Sequence, residues 1–91
     1  MLKDARRKQI SEIIGNICLI KDQIETIKDN IETVREDEQE YLDNMPENLQ
    51  GGNKYNVASN AVDNLEDATE YTNETLDTLD KIIESLEEAK V

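Results

Sequence analysis

The fold is decided by residues 10–34, which read ISEIIGNICLIKDQIETIKDNIETV. Isoleucine recurs there at alternating steps of three and four residues, which is the a/d spacing of a heptad coiled-coil helix. With Ile10 at position a, the apolar seam comprises Ile10, Ile13, Ile17, Ile20, Ile24, Ile27, Ile31 and Val34. The spacing continues through a charged Glu38 to Tyr41 and Met45, so the pattern predicts one unusually long helix.

The second half of the chain carries a matching seam in which Leu65 occupies position a. Its members are Ala61, Leu65, Ala68, Thr72, Thr75, Leu79, Ile82, Leu86 and Ala89. If the chain folds back on itself, aligned seam residues have numbers that sum to 99, as for Val34 with Leu65. The two halves therefore predict two helices packed side by side in opposite directions.

The segment between the two seams contains the residues that interrupt helices. Pro46 disfavours helical geometry in the residue before it and suits the first turn of a short new helical segment. We expect Gly51 and Gly52 to take positive φ angles and close the turn, and Asn53 to cap the second helix.

These patterns predict an all-α fold, a long antiparallel two-helix coiled-coil hairpin. It forms one domain over residues 1–91, with helix 1 at about 3–44, the turn at 45–53 and helix 2 at about 54–90. Two helices of this length bury little apolar surface, and the chain has only three aromatic residues, all Tyr. We therefore expect the hairpin to associate with itself as a homodimer, in the form of a four-helix bundle.

Apolar and small residues outside the a/d seams cluster near the open end of the hairpin. Gly15 in a helix interior costs about 1 kcal/mol relative to Ala, and the close approach of another backbone would explain it. We therefore expect the oligomer interface at this end of the hairpin. Its predicted residues are Ile14, Gly15, Cys18, Leu19, Leu76 and Ile83.

Charge is distributed unevenly along the chain, whose formal net charge is −12. Residues 36–91 hold three Lys/Arg against sixteen Asp/Glu, which disfavours direct binding to nucleic acids or anionic membranes. The outward positions of helix 2 form a nearly continuous acidic face that could bind a basic partner protein. Its predicted residues are Asp63, Glu66, Asp67, Glu70, Glu74 and Asp77.

The sequence lacks the residue patterns of common catalytic and metal sites. There is no His, and Cys18 is the only cysteine, so a Cys–His nucleophile and a histidine metal site are both excluded. Gly51-Gly52 lacks the following Lys and Ser/Thr of a phosphate-binding loop. We expect a protein that is not an enzyme and has no catalytic residues, metal or cofactor. A single Cys also fits a reducing cytoplasm.

The turn region supports one resemblance. Residues 40–51, EYLDNMPENLQG, are followed by Tyr55 and a helix rich in Ala, Leu, Asp and Glu. Over about residues 36–90 the chain resembles small acidic proteins of unknown function encoded by phages and prophages of Gram-positive bacteria. The resemblance implies a phage-type accessory protein and implies no activity or functional residues.

Three functional hypotheses follow from these features. The first is an interaction module that associates with itself and binds an unidentified host or viral protein. The second is an acidic mimic of nucleic acid that inhibits a basic, nucleic-acid-binding host defence protein. The third is a sponge for small ligands, with pockets at the subunit boundaries of an oligomer. Separately, Thr72 and Thr75 could line a polar cavity, although threonine hydroxyls more commonly bond to carbonyls of their own helix.

Overall fold

The structure of the protein is a computed structural model that describes residues 2–91. The first helix, α1, spans Leu2–Asp43, a short 3-10 helix spans Glu47–Leu49, and the second helix, α2, spans Asn53–Ala89. The two long helices pack against each other and form a rod of 73 × 15 × 14 Å. The predicted all-α helical hairpin is thus confirmed, and both helices lie one residue toward the N-terminus of their expected bounds.

The turn closes without the left-handed backbone that the glycines led us to expect. None of the described residues has a positive φ, and Gly52 is extended at φ −86° and ψ 174°. A Cβ on Gly52 would lie only 3.2 Å from the carbonyl oxygen of Leu49, so space rather than backbone angle favours Gly there. The predicted Asn53 cap is also wrong, because α2 begins at Asn53 and Gly52 occupies the cap position.

The only buried residues among those described lie beside the turn. They are Leu42 of α1 and Ala58 and Val62 of α2, with Tyr55 packed against them. Elsewhere the helices bury their facing side chains only partly. The hairpin therefore has a small core at its closed end and a shallow interface along the rest of its length.

The interface between the helices is rotated relative to the predicted a/d seam. Half-buried positions follow the a and e columns of both helices, whereas the d-column residues of α1 are 45–52% exposed. Both ion pairs that join the helices within the described residues connect residues whose numbers sum to 101 rather than 99. The d-column residues of α1 are Ile13, Ile20, Ile27, Val34 and Tyr41.

Side-chain size on α2 explains this rotation. The e column of α2 contains Val62, Leu76 and Ile83, whereas most of its d column is Ala or Thr. Packing through a and e therefore buries the larger apolar side chains of α2. In exchange, α1 places basic residues in the interface, where their aliphatic stems are covered and their charged ends reach acidic residues.

Candidate interaction surfaces

The d and g columns together form one long side of the hairpin, which we call the d/g side. Of the eleven exposed large apolar residues in the described chain, eight lie on it. They are Ile13, Ile20, Ile27, Val34, Tyr41, Val57, Tyr71 and Ile82. Such a concentration of apolar residues in one continuous surface is typical of a protein-binding site.

The g columns beside these apolar residues contain almost no charge. In α1 the g column holds Gln9, Asn16, Gln23, Asn30, Asp37 and Asn44, and in α2 it holds Val57, Asn64, Tyr71, Thr78 and Ser85. Asp37 is the only one of the chain's 22 acidic residues in a d or g column, and Arg6 and Lys54 are the only basic ones. Depletion of charge is a mark of interface cores, since a buried charge must be desolvated.

Both helices contribute to the same d/g side. A shallow cleft near the turn is lined by Tyr41 of α1 together with Lys54 and Val57 of α2, which all occupy d or g columns. On the opposite side, Glu32, Glu36 and Glu66, from b and f columns, line another shallow depression. The apolar rows of α1 and α2 thus face one direction and form one surface along the rod.

The opposite surface, which we call the b/f side, consists of the b and f columns and is charged. Here the Lys21 ammonium donates a hydrogen bond to the Asp80 carboxylate. That hydrogen bond raises the pKa of Lys21 above its ordinary value of 10.5. Arg35 lies 3.9 Å from Glu66, also between the helices. Two basic residues of the α1 e column, Lys21 and Arg35, thus bridge to acidic residues of α2.

All six residues of the predicted acidic face are exposed. Asp63, Glu66, Glu70 and Asp77 protrude from f or b positions, and Asp67 and Glu74 from the outer c column. Among the ion pairs of the described residues, only Arg35–Glu66 includes a member of this set. The structure therefore places these carboxylates on one continuous acidic surface of α2.

The structure does not bring the six predicted oligomer-interface residues onto one open surface. Those in e columns are half-buried between the helices, and the others are exposed at f, b and c positions of α1. The half-buried residues are Ile14, Leu76 and Ile83, and the exposed ones are Gly15, Cys18 and Leu19. A Cβ on Gly15 would meet nothing within 4 Å, so nothing in the hairpin requires glycine there.

An open cleft of about 900 Å³ lies at the turn end of the d/g side. Tyr41, Met45 and Leu49 supply apolar surface to this cleft, while Asp37 and Lys54 supply charge.

The hydroxyls of Thr72 and Thr75, which were expected as possible lining of a polar cavity, donate hydrogen bonds to backbone carbonyls of their own helix, at 2.7 and 2.8 Å. Polar recognition of a small ligand by these two threonines therefore has no support in the geometry.

Residues 2–91 contain neither a metal-binding cluster nor a helix that could span a membrane. No group of three or more acidic or cysteine side chains in that range is arranged to hold a metal ion. Within the same range, neither helix is long and apolar enough to cross a membrane. The surfaces that remain as candidates are the d/g side, its cleft and the acidic surface of α2.

Comparison of the chain with protein-family models, with curated proteins and with solved structures found no match.

Proposed function

We propose that the protein is a non-enzymatic interaction module that binds another protein through the d/g side of its hairpin. The observation that carries this proposal is the combination of eight exposed apolar residues with nearly charge-free g columns on one side. In a chain with 35% charged residues, a long apolar side with so little charge is unexpected, and contact with another protein surface explains it.

The surface area of the hairpin supports the same proposal. A compact protein of 10.4 kDa exposes about 5,400 Å², whereas the hairpin exposes 6830 Å². The excess of about 1,400 Å² arises because two helices leave their outer faces open. A partner on the d/g side would remove the most apolar part of this excess from water.

We further propose that the protein acts as a phage-type accessory protein in the cytoplasm of a bacterial host. The resemblance of residues 40–51 to phage and prophage proteins supports this part of the proposal. The partner on the d/g side is then a host protein, a viral protein or the chain itself.

A pair of charge variants tests the interaction module. Ile20→Glu combined with Ile27→Glu places two carboxylates on the d/g side, which should abolish binding because they would be desolvated in the complex. Thr26→Glu combined with Thr33→Glu adds the same charge to the same helix at exposed, outward c positions and is the matched control. Binding is measured by affinity capture from host lysate and by titration of each recovered protein, with helicity followed by circular dichroism.

The two outcomes of this experiment are distinct. Partners that bind the wild type and the control variant, but not the Ile variant, support the proposal. If every recovered protein, including a second copy of the chain, binds the Ile variant as tightly as the control, the d/g side is not the binding surface.

A second candidate function is inhibition of a basic, nucleic-acid-binding protein by the acidic surface of α2. The exposure of all six predicted carboxylates favours it. The b, c and f positions between Asp63 and Glu88 hold ten carboxylates, which gives one charge per ~4 Å at ~1.5 Å rise per residue. That spacing approaches the ~3.4 Å of a single DNA strand.

Salt dependence and charge reversal test this second candidate. Binding of a basic partner through these carboxylates should weaken strongly between low and moderate salt, because exposed charges are screened. The triple variant Glu66→Lys, Glu70→Lys, Glu74→Lys should lose inhibition while retaining its helicity. Binding that is insensitive to salt and to this variant would eliminate the acidic mimic.

A further inference from the structure

We infer that the occupant of the d/g side is a second copy of the same hairpin, running in the opposite direction, so that two chains form an antiparallel four-helix bundle. This inference rests on the proposed function, because it names the partner of the same surface. Four properties of the hairpin support it. They are the angle between the two contact faces of each helix, the area of the d/g side, the positions of the charged residues near its ends, and the acidity of the remaining surfaces.

The angle between the two faces of each helix fits a four-helix bundle. At about 100° per residue, the centre of the d and g columns lies about 110° around the helix from the centre of the a and e columns. Adjacent contacts of a helix in a square bundle of four lie at about a right angle. The a and e columns face the other helix of the hairpin, so the d and g columns are placed to face a second hairpin.

The available area is large enough for a stable dimer. A side of a rod that measures 73 × 15 Å offers about 1,000 Å² to a partner of the same shape, which exceeds the ~800 Å² per partner of a standard protein interface. A second hairpin matches the whole length of this side, whereas a compact globular protein would cover only part of it.

Two of the three charged residues on the d/g side, Arg6 and Asp37, favour one relative direction of the two copies. Arg6 lies near the open end of the rod, and Asp37 lies near the turn. When two copies overlap over their full length in opposite directions, Arg6 of each copy lies within about a turn of Asp37 of the other. In the same arrangement the Ile rows of the two α1 helices meet, with Ile20 of one copy beside Ile27 of the other.

The b/f side and the outer face of α2 could not take a second copy in the same way. Ten of the twelve b, c and f positions between Asp63 and Glu88 are acidic, so two such faces would repel each other. The d/g side thus combines a long apolar surface with little repulsion between identical chains. The acidic surface of α2 stays open to solvent in the resulting bundle.

Mass and cross-linking test the occupant and its direction. The full chain should have twice its 10.4 kDa mass by light scattering at micromolar concentration. The midpoint of α1 (Leu2–Asp43) lies near Gln23, an exposed g-column residue, so two copies running in opposite directions place Gln23 beside its own counterpart. In a Cys18→Ser background, Gln23→Cys should therefore form a disulfide-linked dimer under mild oxidation, and Glu25→Cys on the b/f side should not.

Each outcome of these measurements decides something. A monomeric wild type, or a dimer in which Gln23→Cys cross-links no better than Glu25→Cys, overturns the inference. In that case the proposed function still stands if Ile20→Glu with Ile27→Glu loses some other partner. A dimer that withstands the Ile variant also overturns the inference, and if no other partner is lost either, the d/g side is not a binding surface. Cross-linking at Gln23 together with a monomeric Ile variant establishes the bundle.

Discussion

The two sides of the hairpin differ more than its two helices do. On the b/f side, Lys21 and Arg35 extend from α1 to carboxylates of α2, and nearly every remaining position is polar or charged. On the d/g side, half-exposed Ile residues and exposed amide residues follow each other along α1. The hairpin therefore half-buries its basic e column and leaves its apolar d column exposed, so a molecule that covered the d/g side would stabilise this arrangement.

The largest expected effect comes from removing apolar volume on the d/g side. Ile20→Ala and Ile27→Ala should each destabilise the protein by about 2–5 kcal/mol if these residues are buried against a partner copy. On a free helix surface the same substitutions would be neutral or slightly stabilising, because Ala has the higher helix propensity. Thermal unfolding at several protein concentrations measures both the size and the sign of the effect.

The matched control is Leu19→Ala, since Leu19 is exposed on the outer c column of the same helix. Its expected effect is within about 0.5 kcal/mol. Equal changes in the free energy of unfolding for Leu19→Ala and Ile20→Ala would mean that no partner covers the d/g side. The d column would then be as exposed to solvent as the outer c column.

A second prediction concerns Gly15. This residue belongs to the oligomer interface expected from the sequence but lies outside the d/g side, so a substitution there distinguishes the two interfaces. Gly15 faces solvent in an f position, and an added Cβ meets no atom. Gly15→Ala should therefore stabilise α1 by about 1 kcal/mol, which corresponds to a rise of roughly 4–8 °C in melting temperature for a domain of this size. If another backbone packed against Gly15 in an oligomer, the same substitution would instead lower the melting temperature and weaken association.

The sequence predicted the hairpin well because both helices carry long heptad repeats and because Pro46 interrupts them once. It did not determine which columns face each other. In α1 the a, d and e columns are all candidates for the interface. Neighbours such as Ile13 in the d column and Ile14 in the e column can each be buried at little cost in free energy. The deciding residues are on α2, where the buried Val62 in the e column is larger than Ala61 in the d column.

A second repeat in the sequence, a row of uncharged amide residues, could have identified the candidate surface. Gln9, Asn16, Gln23 and Asn30 recur every seven residues in a chain that is otherwise rich in charge. A prediction based on apolar residues alone misses this row, because amide side chains are common on helix surfaces. The turn angles were less predictable, because the close approach of Gly52 to the Leu49 carbonyl depends on how the chain folds back.

The smallest expected effect is that of an ion pair on the b/f side. The hydrogen bond from Lys21 to Asp80 raises the pKa of Lys21, so the charged lysine is favoured in the folded protein. A raised pKa means that this contribution to stability is fully present below the ordinary value of 10.5 and is lost as pH rises through the raised value. Because the pair is exposed to solvent, Lys21→Met should lower the melting temperature by less than Gly15→Ala raises it.

A double-mutant cycle of Lys21→Met and Asp80→Asn isolates this pair from other effects of the substitutions. The coupling should be measurable at neutral pH, weaken with added salt, and vanish above the raised pKa of Lys21. A coupling that persisted unchanged in strongly alkaline solution would show that the lysine stem packs against α2 without help from the charge. The b/f side would then be held by apolar contact, as we propose for the d/g side, and the difference between the two sides would be one of composition alone.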